Sequence, residues 1–286
     1  MSEYEPRDLR SLALKITGEV AGLLRDLRED PSSVEKTGPD TTRADMEAEA
    51  YALELLEAEG LRCLVVTEES GARELGEEEL VAVLDPLDGS VNYVLGVPWC
   101  SVSLGFANKR RGARLSDVVA GAVHSVFSLD SFSFYRGGGA YVNDARIEQW
   151  SVVRSFESTG KFSVAFYVDE PSQLRELGPV LDYVRRRGGA LKARCLGSSA
   201  LELSLVAVGK IGYFADLRGK LRNVDVVVGL GMLRELSGGY IDGSGDELDV
   251  GLERVERLRG LIAASLVEEV ERLRGILTSR AGGPVA

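Results

Sequence analysis

The chain has 286 residues, of which 44% are hydrophobic and 28% are charged, and its formal net charge is −11. This composition is typical of a soluble globular protein, and the length allows one large domain or two closely packed lobes. The negative charge argues against a nucleic-acid partner and an anionic membrane surface, whereas a small phosphorylated ligand is compatible because bound metal can reverse the local field.

The first half of the chain predicts two helices followed by several strands. Apolar residues at helical spacing predict an amphipathic helix over residues 7–28. The polar stretch 29–42 indicates an exposed loop, and Thr41 or Thr42 is placed to cap a second helix that ends near Glu59. Apolar runs separated by turn residues then predict mostly antiparallel strands at 61–67, 81–84, 100–107, 118–127, 131–135 and 140–142.

From about residue 143 the pattern changes to strands and helices in alternation, which is typical of an α/β arrangement. The strands are predicted at 162–168, 191–193, 211–216 and 258–264, and the helices at 172–187, 198–208, 223–236 and, after the last strand, up to about residue 277. The sequence therefore predicts one unit with two lobes, an α+β lobe over residues 1–143 and an α/β lobe over residues 144–286.

The cysteines indicate the compartment. Cys63, Cys100 and Cys195 are isolated and lack metal-binding spacing, so we interpret them as small buried hydrophobic residues. The N-terminus lacks the pattern of a signal peptide, and no apolar run has the length of a membrane span. An odd number of cysteines then predicts a cytoplasmic location.

The stretch 81–93 reads VAVLDPLDGSVNY and joins a buried strand to two carboxylates. Pro86 has no backbone N–H, so we expect strand pairing to stop there and the chain to turn. Asp85 and Asp88 then lie at the same sheet edge, where a hard divalent cation such as Mg²⁺, Mn²⁺ or Ca²⁺ would offset their repulsion. An ordinary Asp-rich surface turn is the alternative for this loop alone.

Other residues extend this candidate site. The backbone N–H groups of Gly89 and Ser90 are available to bind an anion. Glu68 closes a predicted strand, Asp225 opens a helix of the second lobe, and Asp45 lies in the first turn of the second helix. Each acidic residue alone is compatible with a surface charge or a helix cap. Their joint order favours an Mg²⁺ site built from several elements.

Four runs taken in order resemble the inositol monophosphatase family over nearly the whole chain: LVVTEES, LDPLDGSVNYVLGVPWCSVSLGF, GGGAYVND and LRNVDVVVGLGMLRELSGG. The resemblance is strongest to the archaeal branch, in which inositol monophosphatase and fructose-1,6-bisphosphatase activities often reside in one enzyme. It implies an α+β fold with a layered αβαβα sandwich, a homodimer, and two to three Mg²⁺ ions, for which Mn²⁺ can substitute.

The resemblance also assigns the metal ligands. Asp85 would bridge the first and second ions, and Glu68 and the carbonyl of Leu87 would complete the first. Asp88 and Asp225 would complete the second.

A third, weaker ion would be held by Asp45, which lies in a TRAD piece matching the family's TxxD. Glu68, Ser90 and Asp45 would align a metal-activated water for in-line attack on the phosphate. Lys36 and Asp40 lie on the family's mobile loop, which we expect to order over the substrate; a plain surface loop is the alternative.

The substrate side is defined by residues of both lobes. Asp216 is suited to accept hydrogen bonds from substrate hydroxyls, and Arg218 or Arg222 to bind a second phosphate; surface ion pairs are the alternative for each arginine. The full set of candidate substrate contacts is Asp88, Gly89, Ser90, Arg194, Ser198, Asp216 and Arg218.

We therefore predict a phosphomonoesterase that acts on inositol 1-phosphate, fructose 1,6-bisphosphate or both. The alternatives are a phosphatase for NADP or 3′-phosphoadenosine 5′-phosphate, and a non-catalytic relative that binds sugar phosphate or metal. One departure from the family stands out: its WDxAAG motif is VDVVVG here, with Val226, Val227 and Val228 after Asp225. We expect these bulkier residues to alter local packing, including the substrate wall.

Overall fold

The structure is a computed structural model that describes residues 4–38, 41–76, 80–108 and 111–281. Within these ranges the helices are α1 (Pro6–Leu27), α2 (Arg43–Ala58), α3 (Ser90–Leu95), α4 (Gln149–Ser158), α5 (Gln173–Gly188), α6 (Ser199–Ala207), α7 (Asn223–Glu235) and α8 (Val267–Ala281). The strands are β1 (Leu64–Thr67), β2 (Gly71–Glu74), β3 (Val81–Asp88), β4 (Ser101–Ala107), β5 (Val118–Ser125), β6 (Ser131–Tyr135), β7 (Gly139–Val142), β8 (Ala145–Arg146), β9 (Ser163–Tyr167), β10 (Lys192–Arg194), β11 (Tyr213–Asp216), β12 (Gly239–Ile241) and β13 (Leu261–Ala264).

The strands form two sheets, and helices lie on both sides of each. The first sheet has the order β2-β1-β3-β4-β5-β6-β7-β8, and the second has the order β10-β9-β11-β13-β12. Helices α1 and α2 cover the outer face of the first sheet, α6 and α7 lie between the sheets, and α5 and α8 cover the outer face of the second. These five layers confirm the predicted αβαβα sandwich.

The direction of the strands brings two loops together at the centre of the first sheet. Strand β1 runs parallel to β3, whereas the other neighbours in this sheet are antiparallel. In the β1–β3 pair Thr67 lies opposite Leu84. The residues that follow, Glu68 and Asp85, therefore leave the paired region side by side.

The structure corrects the prediction for Pro86. Strand β3 does not end before the proline but continues to Asp88. Asp85 pairs with Ser103 and Asp88 with Ser101, with an irregular register between the two pairs. Such a bulge accommodates a residue that cannot donate a ladder hydrogen bond, so the strand kinks without stopping.

Five short or exposed elements were missed by the sequence prediction. The residues of β2 and β8 are mostly exposed, and β12 has three residues, so none of them shows a clear apolar alternation. Helix α4 buries only Val152 and Phe156, and the six residues of α3 bury only Tyr93. Too few buried positions recur in these segments to mark a helix or a strand by periodicity.

Helix α7 is the buried centre of the molecule, and it begins at the site described below. It packs on β3 to β7 of the first sheet and on α6. Val226, Val227 and Val228 are all fully buried in this core. These residues therefore lie at the interface between helix and sheet, and their expected effect on the substrate wall stays a prediction.

Among the described residues, no helix has both the length and the apolar character needed to cross a membrane.

Candidate metal centre

Three carboxylates from three separate elements meet at one point. Glu68 follows β1, Asp85 lies in β3 and Asp225 lies in the first turn of α7. One oxygen of each carboxylate lies within 4.8 Å of the others. Asp85 is fully buried and Asp225 nearly so, whereas Glu68 is partly exposed. We call Glu68, Asp85 and Asp225 the carboxylate cluster.

The electrostatics of the carboxylate cluster favour a bound cation. Burial raises the pKa of Asp85 well above its ordinary value, and repulsion from Glu68, Asp88 and Asp225 raises it further. Burial also raises the pKa of Glu68, although Arg222 opposes that shift. The buried carboxylates are therefore costly to ionise unless positive charge lies next to them.

Asp85 also has an unsatisfied oxygen. Its Oδ1 accepts a hydrogen bond from the N–H of Leu87 over 3.1 Å. Its Oδ2 is buried and has no hydrogen-bond partner among the residues that the structure describes. A buried carboxylate oxygen normally has a partner, and hard divalent cations bind such oxygens. The donor set around Asp85 therefore fits a divalent metal ion.

Arg222 extends into the same cluster. Its Nη1 donates to Glu68 Oε1, and its Nη2 donates to Asp225 Oδ1 over 2.9 Å. The sequence placed this residue only among possible contacts to a second substrate phosphate. Its distance of three positions from Asp225 was a usable signal, because residues three apart at the start of a helix are neighbours.

Asp88 lies next to the cluster but is bound to the second lobe. Its Oδ2 accepts from Ser198 Oγ over 2.6 Å and from the N–H of Ala200 over 2.7 Å, and its Oδ1 accepts from the N–H of Ser199 over 3.2 Å. Burial and the charge of Asp225 raise the pKa of Asp88 to about 7, against these hydrogen bonds. Asp88 thus occupies the N-terminus of α6, and its role as a metal ligand stays a prediction.

Asp45 caps the helix in which it lies. Its Oδ2 accepts from the N–H of Thr42 over 2.6 Å, and the hydroxyl of Thr42 accepts from the N–H of Asp45 over 3.4 Å, which forms a capping box. Burial raises the pKa of Asp45, and the charge of Glu68 contributes to the shift. Asp45 is therefore near enough to Glu68 for their charges to interact. The part of Asp45 in holding a third ion stays a prediction.

Glu49, which the sequence analysis missed, fixes the loop that carries Glu68. Its Oε2 accepts from Thr67 Oγ1 over 2.6 Å, from the N–H of Glu69 over 3.1 Å and from the N–H of Ser70 over 3.4 Å. Glu49 is 3% exposed, so these hydrogen bonds lie out of water. Its position four residues after Asp45, on the same face of α2, was the signal that could have revealed it.

The loop after Asp88 is held by close backbone packing. Gly89 adopts φ 94°, and a Cβ atom there would lie 2.8 Å from the carbonyl oxygen of Gly197. This backbone conformation and this space both require glycine. Asn92 donates from Nδ2 to the carbonyls of Trp99 and Leu196, over 2.7 and 2.6 Å. These contacts join the start of α3, where Ser90 lies, to the segment that precedes α6.

The candidate substrate residues of the second lobe are only partly brought together. Asp216 is buried and binds Arg218, whose Nη2 donates to its Oδ2 over 2.6 Å. Ser198 contacts Asp88, as described above. Arg194 is exposed on the edge strand β10, and its Nη1 donates to the carbonyl of Ala193 over 2.9 Å. None of these contacts tests substrate binding, so all four assignments stay predictions.

The predicted mobile loop is described in part. Lys36 is exposed and forms an isolated backbone bridge with Thr42, the residue that caps α2. Asp40 lies outside the described residues. Their predicted role over the substrate is not tested.

The chain matches a known protein family over most of its length. A family profile described as the inositol monophosphatase family matches residues 5–277. An inositol-1-monophosphatase of Aeropyrum pernix is 38% identical over 265 residues, which cover 92% of this chain and 95% of that protein. A fructose-1,6-bisphosphatase/inositol-1-monophosphatase of Archaeoglobus fulgidus is 35% identical over 239 residues, covering 80% and 83%.

Solved structures agree with this match. A crystal structure of an inositol monophosphatase–fructose 1,6-bisphosphatase gives a TM-score of 0.72 at 26% identity, covering 93% of this chain and 98% of that one. A protein of Pyrococcus horikoshii described as similar to inositol-1 monophosphatase gives a TM-score of 0.76 at 25% identity, covering 95% and 98%. The chain therefore belongs to the inositol monophosphatase family.

Proposed function

We propose that this protein is a Mg²⁺-dependent phosphomonoesterase that hydrolyses inositol 1-phosphate, fructose 1,6-bisphosphate or both. The observation that carries the proposal is the carboxylate cluster, in which a buried oxygen of Asp85 lacks a partner among the described residues. The archaeal relatives named for these two activities support the choice of substrates.

The residues proposed to hold two Mg²⁺ ions are Glu68, Asp85, Asp88, Asp225 and the carbonyl of Leu87. When bound, Mg²⁺ supplies positive charge that lowers the pKa of a water molecule and stabilises the leaving oxygen. Oxygen ligands also accept Mn²⁺, which we propose as a substitute.

The chain supplies positioning around these ions. Glu68 and the hydroxyl of Ser90 are proposed to orient the attacking water, with Asp45 behind them and beside a third, weaker ion. The N–H groups of Gly89 and Ser90 are proposed to bind the phosphate. The left-handed conformation of Gly89 and its close approach to Gly197 support this proposal, because they hold the loop in one position.

The leaving group is proposed to face the second lobe. Asp216 and Arg218 would bind the substrate hydroxyls or a second phosphate, with Ser198 and Arg194 at the margin. Lys36 and Asp40 are proposed to order over the bound substrate. The lobes 1–143 and 144–286 would then each supply one side of the site.

We also propose a cytoplasmic homodimer. Helix α3 and the turn after it expose Val91, Val94, Leu95 and Val97, with exposures of 70%, 41%, 70% and 42%. Adjacent exposed apolar side chains of this size support an interface between subunits. Sedimentation velocity on the wild type and on a Val91→Asp/Leu95→Asp variant tests it, and only the wild type is expected to sediment as a dimer.

Phosphate release with and without Mg²⁺ tests the activity. The substrate panel contains inositol 1-phosphate, fructose 1,6-bisphosphate, NADP and 3′-phosphoadenosine 5′-phosphate. Asp85→Asn should lower turnover at least about 100-fold, because it removes a ligand charge that the metal site needs. Asp182→Asn, which changes an exposed carboxylate on α5, is the matched control and should keep full activity. Turnover that persists in Asp85→Asn, or that does not depend on Mg²⁺, would contradict the proposal.

A further inference from the structure

Arg222 places a permanent positive charge inside the carboxylate cluster. Its two Nη atoms donate to Glu68 and Asp225, and its side chain is 28% exposed. The side chains of Glu68 and Asp225 are 23% and 8% exposed. One guanidinium therefore bridges two of the three carboxylates that the proposed metal ions would share.

This contact suits the cluster without metal. Buried carboxylates at such short distances repel one another and take up protons unless a cation lies between them. Arginine is the side chain best able to remain charged there, and its planar fork can bind two carboxylates at once. Burial disfavours the charge of Arg222, but Asp225, Glu68 and Asp85 outweigh that effect and raise its pKa.

We propose that Arg222 is the counter-ion of the metal-free cluster, and that a divalent cation must displace its guanidinium from Glu68 and Asp225 in order to bind. This inference rests on the metal site of the proposed function. Arg222 then has two opposite effects: it stabilises the metal-free protein and it weakens the affinity for metal. Both follow because two cations compete for the same oxygens.

The backbone at Arg222 is anchored, so displacement needs only a change of side-chain rotamer. The N–H of Arg222 donates to Asp225 Oδ2 over 2.7 Å. On either side, the N–H of Asn223 donates to the carbonyl of Glu256 over 2.9 Å, and the carbonyl of Leu221 accepts from Leu258 over 2.8 Å. The partly exposed guanidinium has a route towards solvent, while the start of α7 stays in place.

The counter-ion leaves the cluster incomplete, which preserves a driving force for metal. Arg222 donates no hydrogen bond to Asp85 Oδ2, which keeps no partner among the described residues. A divalent ion would satisfy this oxygen and would bring a second unit of charge to the three carboxylates. A divalent ion would therefore stabilise Asp85 Oδ2, which the guanidinium of Arg222 leaves without a partner among the described residues.

The test measures metal affinity and stability rather than turnover. Mg²⁺ is titrated calorimetrically into chelator-treated wild type, Arg222→Met and Arg222→Lys, and unfolding midpoints are recorded in EDTA and in saturating Mg²⁺. Lys220→Met is the matched control, because it removes a neighbouring charge that pairs with Asp169 outside the cluster. Arg222→Lys keeps the charge and should bind Mg²⁺ nearly as the wild type does.

Arg222→Met should bind Mg²⁺ about tenfold more tightly than the wild type, since the competing cation is gone. In EDTA its unfolding midpoint should fall by roughly 5 °C, and saturating Mg²⁺ should remove most of that difference. Lys220→Met should change neither quantity.

Equal or weaker Mg²⁺ binding by Arg222→Met would overturn the inference and leave the metal site standing. Failure of the wild type to bind Mg²⁺ would overturn the metal site and the competition together. If Arg222→Met does not fold in EDTA, Arg222→Gln at lower temperature gives the same comparison, and an unchanged Mg²⁺ affinity there would again refute competition.

Discussion

Val227 of α7 packs into the space that Gly105 of β4 leaves open: a Cβ atom added at Gly105 would lie 2.3 Å from Val227 Cγ2. Gly121, which pairs with Gly105 across the two strands, leaves the same kind of space for Val228, with 2.9 Å to its Cγ2. Val227 and Val228, which are bulkier than the family's WDxAAG motif allows at these positions, are thus accommodated by glycines on the facing strands. The close approach of helix and sheet keeps Asp225 next to Asp85.

We expect Gly105→Ala to destabilise the protein by about 1–3 kcal/mol, because the added methyl group overlaps a stiff β-branched side chain in a packed core. Val227→Ala added to this variant should recover part of the loss, since it removes the overlapping methyl group. Urea unfolding monitored by circular dichroism measures both changes.

Gly275→Ala is the control for the loss of a glycine. Gly275 lies within α8, and a Cβ atom there would meet no atom of another described segment within 4 Å. This change should be neutral or stabilising by up to about 1 kcal/mol, as expected for alanine in a helix. Additive effects of Gly105→Ala and Val227→Ala would show that the two sites do not contact each other as described.

The chain order of the carboxylates, helices and strands could be predicted from local sequence pattern, whereas the layered αβαβα fold was implied by the resemblance to the family. Asp85 stands in a continuous buried strand, and Asp225 stands at the start of a strongly apolar helix. The contact between Arg222 and Glu68 could not be predicted from spacing, because it joins residues 154 positions apart. The exposed strand β2 could not be predicted either, since its edge position imposes no alternation of apolar and polar residues.

Asn92 gives a second prediction, because its amide donates to two carbonyls on different segments. Asn92→Asp keeps the shape but replaces the donor by a carboxylate that faces the oxygens of Trp99 and Leu196. We expect a loss of about 1–3 kcal/mol and a fall in phosphatase activity, since the Gly89 loop would lose its support. Urea unfolding and initial rates of phosphate release measure these effects.

Asn92→Ala separates repulsion from the loss of hydrogen bonds. It should cost less than Asn92→Asp at neutral pH, because alanine brings no charge towards the carbonyls. The opposite ranking, or full activity in both variants, would mean that this amide does not hold the two segments together.

Glu202 gives a prediction for pH. It is fully buried in α6, where its carboxylate accepts from the hydroxyl of Tyr167 and from the N–H of Leu196. Burial raises its pKa from 4.5 to about 7, and the charge of Asp88 contributes. Between these two values the folded protein holds a proton that the unfolded chain has lost. Stability is therefore lost as pH rises through this window, by up to about 3 kcal/mol.

Glu202→Gln should abolish this component, because the amide keeps an acceptor oxygen and does not titrate. Relative to the variant, the wild type should lose unfolding free energy between pH 5 and pH 8, measured by urea unfolding in EDTA. Glu148→Gln is the control at an exposed carboxylate, whose side chain is 54% exposed, and should show equal differences at both pH values. If wild type and Glu202→Gln respond alike to pH, Glu202 is ionised in the fold at pH 5, and its hydrogen bonds then outweigh its burial.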